Sequence, residues 1–460
     1  MRPIEISLAL LLSGYLVWMA FSRAQNAFIK AIPYLILLFL IIQVFFEKPR
    51  WQMIPIYIFV VIIFVFNLFN SKPIVSLWLT VPALILMIPT IALPILLPVP
   101  QVPKPSGPYP VGTMTFTLTD TSRLEIYSND PTAPRRFQIQ VWYPASPRSG
   151  DKPVPWMPNA NIYAPAIADY LRLPHFFLDH LNLVTTPAYL NAPLVSSKSA
   201  YPIIVFSHGW NGFRAQNTGQ MLELASYGYI VIGMQHTYGA ITTVFPDGTV
   251  VPNDPSALPD GAPDSIYDAA ARKLVNQWSG DIGYALDFMK TKDEDSASPF
   301  YHLLDFNLIG IFGHSTGGGA TIEFCAADAR CKAGLTEDAF MTPVSLDVLS
   351  HGPQQPFFFM FSEKFPTEKN TRLFNQLYAN VPHADRVVTI LGSAHYDFTD
   401  LPMLTPLAPM LGLKGPINGQ RAITIVDNYL LAFFNETLKD QPTTLFDGPT
   451  ARYPEVRFDH

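Results

Sequence analysis

A G-x-S-x-G sequence, Gly313–Gly317 (GHSTG), is the strongest chemical signal in the chain. It follows an apolar run, Asn307–Phe312, that is typical of a buried strand, and it opens a segment of small residues that is typical of a packed helix. In a nucleophile elbow, a serine lies on such a sharp strand-to-helix turn, where glycines leave room for the neighbouring backbone. The context therefore predicts Ser315 as the nucleophile of a hydrolase.

A serine hydroxyl needs a base that takes its proton and a carboxylate that orients the base. In folds with this elbow, the chain order is serine, then acid, then histidine. The histidines downstream of Ser315 are His351, His383, His395 and His460. His395 follows the last strong strand run, where a loop can return an imidazole to the carboxyl edge of a sheet, so it is the predicted base. His351 lies in a loop with glycine and proline and is interpreted as an exposed structural residue.

Three carboxylates are candidates for the acid, namely Glu337, Asp338 and Asp347. Asp338 comes after a short run, Cys331–Leu335, that is a candidate for the strand beside the nucleophile strand. The residues alone leave all three open.

A second loop, Phe206–Trp210 (FSHGW), directly follows the apolar run Tyr201–Phe206. In this fold, the loop after the third strand and the residue after the nucleophile each donate a backbone N–H to the oxyanion hole. The predicted donors are therefore the amides of Trp210 and Thr316. His208 is interpreted as a residue that fixes the loop by hydrogen bonding, with a catalytic base as the alternative.

The elements that must position these residues alternate between strand and helix patterns. Strand runs occur at Thr113–Thr119, Phe137–Tyr143, Tyr201–Phe206, Tyr229–Met234, Asn307–Phe312, Phe357–Phe361 and Arg386–Leu391. The first two alternate apolar and polar residues, as half-exposed antiparallel strands do, whereas the later runs are almost continuously apolar, as buried parallel strands are. Helical patterns occur at Gln216–Ser226, Ser265–Lys290 and Gly317–Ala329. This order predicts the α/β class, specifically an α/β-hydrolase fold with a mostly parallel central sheet.

Four apolar stretches fill the first hundred residues. They are Ile6–Ser22, Phe28–Phe46, Gln52–Phe69 and Pro73–Val99. Each is close to the ~20 residues that cross a ~30 Å hydrocarbon core. The first alone would fit a signal peptide, but three similar stretches follow it. The pattern predicts an all-α transmembrane region of about four helices at residues 1–99.

A proline-rich stretch follows the apolar region. Leu97–Val111 contains six prolines in fifteen residues, so it should be extended and act as a stiff spacer. The predicted organisation is therefore a multi-pass helical region at 1–99, a linker at 100–111 and a catalytic domain at 112–460.

Charge is distributed unevenly along the chain, whose net charge is −6. Up to Val102 there are six basic and two acidic residues, so the remainder has 24 basic and 34 acidic residues. A catalytic region that acidic is a poor partner for nucleic acid, whose phosphates need basic residues. Cys325 and Cys331 exclude a disulfide-rich scaffold, and no cysteine and histidine have zinc-site spacing. Two buried thiols are the favoured interpretation, with a local bridge as the alternative.

Residues of roughly 104–440 resemble the plasma-type (group VII) platelet-activating-factor acetylhydrolase family of α/β-hydrolases, including its bacterial members. The matching segments are Lys104–Thr113 (KPSGPYPVGT), Val141–Pro144 (VWYP), Phe206–Arg214 (FSHGWNGFR), Gly313–Gly318 (GHSTGG), Glu337–Met341 (EDAFM) and Gly392–Asp397 (GSAHYD). In that family the acid lies roughly two dozen residues after the serine. The resemblance implies Asp338 as the acid and His395 as the histidine. The apolar N-terminal region lies outside it.

The resemblance implies a serine ester hydrolase that works through an acyl-enzyme on lipid or short-acyl esters. Phospholipid sn-2 esters are suggested by the resemblance alone. One alternative is a broad-specificity carboxylesterase without a phospholipid role. Another is a non-catalytic membrane signalling protein with a relic hydrolase domain. No metal or cofactor is implied, and the predicted partners are the ester and, through the N-terminal helices, a lipid bilayer.

Two further segments bear on substrate access. Asn161–Leu194 is apolar and aromatic, which fits ordinary packing, an acyl groove or contact with the bilayer. Tyr238–Pro263 is interpreted as part of the active-site mouth, with a passive insert as the alternative.

Charged groups near the apolar region bear on membrane topology. After the last apolar stretch, only Lys104 precedes Arg123, which favours an extracytoplasmic catalytic domain in the cell membrane. Arg2 and the amino terminus favour the opposite side.

Overall fold

The computed structural model describes residues 1–21, 27–69, 77–197, 199–365, 367–382 and 386–459. The ends of two predicted apolar stretches (residues 22 and 73–76), together with His383 and His460, lie outside the described residues. The described helices are α1 (Pro3–Phe21), α2 (Ala27–Phe46), α3 (Ile54–Phe69), α4 (Leu77–Leu96), α5 (Ala160–Tyr170), α6 (Thr218–Ser226), α7 (Asp264–Glu294), α8 (Thr316–Ala327), α9 (Leu346–His351), α10 (Glu368–Tyr378) and α11 (Gly419–Lys439). The described strands are β1 (Val111–Leu124), β2 (Pro134–Pro144), β3 (Pro153–Pro155), β4 (Thr185–Leu190), β5 (Tyr201–Ser207), β6 (Ile230–Gln235), β7 (Thr242–Val244), β8 (Val250–Pro252), β9 (Leu304–His314), β10 (Cys331–Glu337), β11 (Phe357–Ser362), β12 (Val387–Ile390) and β13 (Val456–Phe458).

One large sheet organises the chain after the N-terminal helices. Its strand order is β13-β12-β11-β10-β9-β5-β6-β2-β1-β4-β3. From β6 to β12, neighbouring strands are parallel, whereas β2 is antiparallel to both β1 and β6. The predicted α/β-hydrolase fold with a mostly parallel sheet is confirmed. Because parallel strands end at the same edge, the loops after β5, β9, β10 and β12 meet there.

Helices cover both faces of the parallel strands, so successive residues of one strand enter different cores. Phe358 of β11 belongs to the core formed with α6 and α11. Its neighbours Phe357 and Phe359 belong to the core formed with α7, α8 and α10. This burial on both faces explains why these strands have almost continuous apolar sequences.

The predicted half exposure of Phe137–Tyr143 is wrong, because most of β2 is buried on both faces. Its polar residues are accommodated by hydrogen bonds. Gln140 Nε2 donates to Thr113 Oγ1 at 3.0 Å, and Gln138 Oε1 accepts from Arg214 Nη1 at 3.0 Å. The alternating sequence therefore reflects an internal polar layer rather than a solvent-facing side.

The N-terminal residues form the predicted apolar helices α1–α4, which pack around Leu8, Ile36 and Ile56. Three segments, Pro3–Phe21, Ala27–Phe46 and Trp51–Phe69, are long and apolar enough to cross a membrane by length and composition. The fourth apolar stretch, Thr80–Leu96, is shorter. Large apolar side chains point outward along these helices and are exposed.

A buried ion-pair cluster closes one end of this helix bundle. Glu5 accepts hydrogen bonds from Arg50 Nε and Nη2, both at 2.8 Å, and from Arg2 Nη2 at 2.7 Å. Arg50 also donates to the carbonyls of Pro94 at 3.1 Å and Leu97 at 2.5 Å. The start of α1, the turn between α2 and α3 and the end of α4 therefore meet at this end.

The same end of the bundle contacts the sheet-containing part of the chain. Trp51 Nε1 donates to the carbonyl of Phe177 at 3.1 Å, and Gln52 Nε2 lies 2.8 Å from His180 Nδ1. Thr405 Oγ1 donates to the Leu96 carbonyl at 2.5 Å. The segment Asn161–Leu194 therefore packs partly against the helices, as well as forming α5.

A disulfide joins Cys325, near the end of α8, to Cys331, the first residue of β10. The favoured interpretation of two buried thiols is therefore wrong. The bridge closes the short turn that returns the chain from α8 to the sheet, and sequence separation alone could not distinguish a bridge from two thiols.

Candidate active site

Ser315 occupies the turn between β9 and α8 with φ 55° and ψ −118°, a conformation that non-glycine residues rarely adopt. Its backbone N–H donates to the Glu337 carbonyl at 2.9 Å, and its carbonyl accepts from Phe340 N at 2.9 Å. These bonds to the β10 end hold the strained turn. Such a turn presents the serine side chain at the carboxyl edge of the sheet.

The glycines on either side of Ser315 are required by the backbone around them. A Cβ on Gly313 would clash with the backbone of Gly317. A Cβ on Gly317 would clash with the backbone of Ser207, at the end of β5. The sequence GHSTG therefore lets two strand ends and a helix start approach within contact distance.

The structure brings His395 and Asp338 together at this edge. Asp338 directly follows β10, and His395 lies in the loop after β12. His395 Nδ1 is 3.1 Å from Asp338 Oδ2. Ser362 supports the carboxylate by donating from its backbone N to Oδ1 at 2.7 Å and from its hydroxyl to Oδ2 at 2.5 Å.

The other two candidate acids lie elsewhere. Glu337 is buried on the opposite side of the strand end, where Asn217 Nδ2 donates to it at 3.1 Å. The Asp347 side chain is 85% exposed and lies 3.3 Å from His351, which is also exposed, as predicted. Among the three, Asp338 is the one in contact with His395.

His314 and Phe365 hold the His395 ring from two sides. Phe365 stacks on His395 with ring centroids 4.0 Å apart and an interplanar angle of 14°. His314 lies with its ring centroid 4.4 Å from that of His395 and donates from Nε2 to the His395 carbonyl at 2.9 Å. Gln216 Nε2 donates to His314 Nδ1 at 3.1 Å, which fixes the tautomer of His314. Since His314 directly precedes Ser315, this contact brings His395 to the elbow.

Burial dominates the electrostatics of the pair. It lowers the pKa of His395 to about 3 and raises the pKa of Asp338 to about 7, although the hydrogen bonds from Ser362 oppose the latter shift. Both effects favour the uncharged form of each group. His395 is therefore neutral near pH 7, which is the state in which an imidazole can accept a proton.

The loop after β5 lies against Ser315. A Cβ on Gly209 would lie 3.3 Å from the Cβ of Ser315. Among the hydrogen bonds of the described residues, neither the Trp210 nor the Thr316 amide donates to a protein oxygen. His208 Nδ1 donates to the carbonyl of Gly209 at 2.7 Å, which agrees with a loop-fixing role.

Two neighbouring cavities open beside this loop. A narrow cavity of about 40 Å³ is lined mainly by apolar residues that include Trp156, Leu171, Phe213 and Leu413. A wider cavity of about 490 Å³ is lined by residues that include Pro255 and Leu258, and both cavities share Tyr170 and Trp210. The segments Asn161–Leu194 and Tyr238–Pro263 therefore both contribute to the surroundings of the site.

The family model described as platelet-activating factor acetylhydrolase, isoform II, matches residues 97–257 and 287–448, well over half of the chain. The chain belongs to this family. Platelet-activating factor acetylhydrolases of Cavia porcellus and Canis lupus familiaris are each 29% identical to it, over 75% and 76% of this chain and 81% of each relative. A probable 1-alkyl-2-acetylglycerophosphocholine esterase of Arthroderma benhamiae is 25% identical over 77% of this chain and 93% of that protein.

A solved structure supports the fold of this acetylhydrolase-family member. The ferulic acid esterase from Streptomyces cinnamoneus superposes with a TM-score of 0.64, 23% identity and coverage of 79% of this chain and 100% of the esterase. At that identity the likeness shows the fold alone. Family membership confirms the predicted class, a serine ester hydrolase.

Local sequence patterns did not assign a role to four supporting residues, namely Gln216, His314, Ser362 and Phe365. Ser362 carried a usable signal, because it ends β11 and the ends of parallel strands share an edge. Phe365 and Gln216 lie in loops, and nothing in their local sequence indicates contact with the histidines.

Proposed function

We propose that Ser315 attacks an ester carbonyl while His395 accepts its proton and Asp338 orients His395. The contact of His395 Nδ1 with Asp338 Oδ2 at 3.1 Å, beside the Ser315 elbow, is the observation that carries this proposal. With Nδ1–H directed at the carboxylate, the Nε2 lone pair remains available to the serine hydroxyl. Neither alternative acid contacts His395.

The amides of Trp210 and Thr316 would donate to the oxyanion that forms in the tetrahedral intermediate. Collapse of this intermediate expels the alcohol, which takes the proton from His395, and leaves the acyl group on Ser315. Water then attacks the acyl-enzyme with His395 again as the base, and the carboxylic acid product is released. The residues of the site supply every proton transfer in this scheme.

Activity should fall as the pH decreases through about 7. Protonation of Asp338 replaces the orienting carboxylate by a neutral acid, whose O–H donates to His395 Nδ1 and favours the tautomer that has no lone pair on Nε2. The pKa of Asp338, raised to about 7 by burial, sets the position of this loss, and the active form is the one present above it. A pH profile of kcat/KM should show an acid limb near pH 7. An acid limb near pH 4 would contradict the assignment of this limb to Asp338.

The proposed substrates are lipid or short-acyl esters, including phospholipid sn-2 esters of the platelet-activating-factor type. Support comes from the relatives, which are named as platelet-activating factor acetylhydrolases and as a probable 1-alkyl-2-acetylglycerophosphocholine esterase, and from the mainly apolar lining of the narrow cavity beside Trp210. The narrow cavity suits a short acyl chain, and the wider one suits a larger leaving group. The second candidate is a broad carboxylesterase without a phospholipid role.

Hydrolysis measured over a series of acyl lengths tests the substrate class. p-Nitrophenyl esters with C2 to C12 chains should be compared with a phospholipid that carries a short sn-2 acyl group. We expect the highest kcat/KM for short chains and hydrolysis of the phospholipid. Rapid turnover of the p-nitrophenyl esters with an inert phospholipid would favour the broad carboxylesterase. No turnover of any ester would favour a relic domain with a signalling role.

We also propose that residues 1–99 anchor the enzyme in the cell membrane as a multi-pass region, that 100–111 are the linker and that 112–460 are the catalytic domain. The length and apolar outer surface of the N-terminal helices support anchoring. The contacts of Trp51 and Thr405 between helices and catalytic domain would hold the domain close to the bilayer. Exposed Phe176, Met410 and Leu411 would lie at that interface.

The catalytic domain should lie on the extracytoplasmic side of the membrane. The Cys325–Cys331 disulfide supports this proposal, since disulfides persist in oxidising compartments. Protease added to intact cells or spheroplasts should digest the domain, and a maleimide should label the two cysteines only after reduction. Protection from protease until the membrane is permeabilised would show the opposite topology.

A further inference from the structure

A second serine–histidine–aspartate arrangement lies behind the loop that carries Trp210. Ser207 ends β5, His236 follows β6, and Asp281 lies in α7. Ser207 Oγ is 3.0 Å from His236 Nε2, and His236 Nδ1 is 2.9 Å from Asp281 Oδ2. All three side chains are fully buried, and none lines either of the two cavities beside Trp210. An ester has no access to Ser207, so the arrangement must serve another purpose.

Two arginines fix the direction of these hydrogen bonds. Asp281 accepts from Arg135 Nη2 at 2.6 Å and from Arg123 Nη2 at 2.9 Å. Burial raises the pKa of Asp281, but the charge of Arg135 and the other donors outweigh it and hold the pKa below its usual range. The carboxylate therefore accepts the Nδ1–H of His236, and the Nε2 lone pair of His236 accepts the hydroxyl of Ser207.

The backbone of His236 fixes the tautomer of the His208 imidazole. The backbone N of His236 donates to His208 Nε2 at 3.2 Å, so His208 carries its hydrogen on Nδ1 and donates to the Gly209 carbonyl at 2.7 Å. Trp278 packs against both imidazoles, with ring centroids 4.3 Å from His236 and 5.1 Å from His208. Each ring therefore has one tautomer and one orientation.

The carbonyl of Gly209 and the N–H of Trp210 belong to the same peptide group. A peptide is planar, so a hydrogen bond that fixes its carbonyl also fixes the direction of its N–H. We propose that Ser207, His236, Asp281 and His208 form a positioning network that aims the Trp210 N–H at the oxyanion. This inference rests on the proposed function, because it assigns Trp210 as an oxyanion donor.

Two variants of His208 test the network. His208→Ala removes the side-chain donor to the Gly209 carbonyl and leaves only the backbone donor, Gly212 N at 2.9 Å. We expect kcat to fall about 10- to 100-fold with KM within about two-fold, because a misdirected oxyanion donor weakens binding of the transition state only. His208→Asn places an amide N–H near the position of Nδ1, so it should recover most of the lost kcat. Both variants are to be assayed on a p-nitrophenyl ester, with thermal unfolding measured in parallel.

Tyr143→Phe is the matched control, since it removes another buried hydrogen bond, from the Tyr143 hydroxyl to the Ala192 carbonyl at 3.0 Å. It should lower the midpoint of thermal unfolding without changing kcat. Wild-type kcat in His208→Ala, with Ser315→Ala inactive, would overturn the network alone. Activity retained in Ser315→Ala would instead overturn the proposed function. Labelling of Ser207 by a fluorophosphonate in the Ser315→Ala protein would also overturn the network, because it would reveal an accessible second nucleophile.

Discussion

Replacing Ser315 by alanine should lower kcat for p-nitrophenyl ester hydrolysis by about five to six orders of magnitude, as loss of the nucleophile does in other serine hydrolases. Without the hydroxyl no acyl-enzyme can form, and only binding and oxyanion stabilisation remain. The variant should also lose covalent labelling by a fluorophosphonate probe. Because alanine is smaller than serine and can remain in the strained turn, the thermal unfolding midpoint should change little.

Ser350→Ala provides the matched control for that experiment. Ser350 is an exposed residue of α9 whose hydroxyl donates to the Asp347 carbonyl at 2.8 Å. This variant should keep the activity and the labelling of the unsubstituted enzyme. Ester hydrolysis at an undiminished rate in Ser315→Ala would refute the assignment of the nucleophile.

Asp338→Asn should lower kcat by roughly 10³- to 10⁴-fold with little change in KM, because an amide directs its N–H at the imidazole and favours the wrong tautomer of His395. The residual activity should also persist to lower pH than that of the unsubstituted enzyme. In the variant, the remaining titrating group is His395, whose pKa burial lowers to about 3. A pH profile of each protein measures this shift.

Stability should separate a catalytic effect of Asp338→Asn from unfolding. The folded-state pKa of Asp338 is raised, so the carboxyl contributes stability below its unfolded-state pKa of about 3.9 and loses it as the pH rises to about 7. A neutral amide does not ionise, so it loses no stability over this pH range. The variant should therefore be at least as stable as the unsubstituted enzyme at pH 8. Asp347→Asn, on an exposed side chain, is the control and should keep full activity. A comparable loss of activity in Asp347→Asn would contradict the choice of acid.

Local sequence was sufficient where the structure depends on a single turn. The elbow around Ser315 requires small neighbours and an unusual backbone conformation, so its residues are recognisable in one short motif. The parallel strands were also predictable, since burial on both faces demands continuous apolar runs. The exposure of strand β2 was predicted wrongly because its alternating glutamines face a buried polar layer. An alternation of apolar and polar residues is the same whether the polar side chains face such a layer or the solvent.

Residues that act through long-range contacts were not predictable from local patterns. Ser362 reaches Asp338 only because β10 and β11 are neighbours, and Asp281 reaches His236 from a helix 45 residues further along the chain. The proposed acid is an example of this limit. Spacing left three carboxylates open, and the resemblance to a family was needed to select Asp338. Strand order, which sequence periodicity does not contain, determines these partners.

The contacts of Trp51 and Thr405 with the helix bundle bear on how the anchored enzyme would encounter its substrate. Under the proposed anchoring, collisions occur within a two-dimensional film, and the relevant concentration is the mole fraction of ester among the surrounding lipids. Diluting such an ester with inert lipid would slow turnover even at constant bulk concentration. The two products would also separate, because a short carboxylate dissolves in water whereas a lysolipid stays in the membrane beside the enzyme.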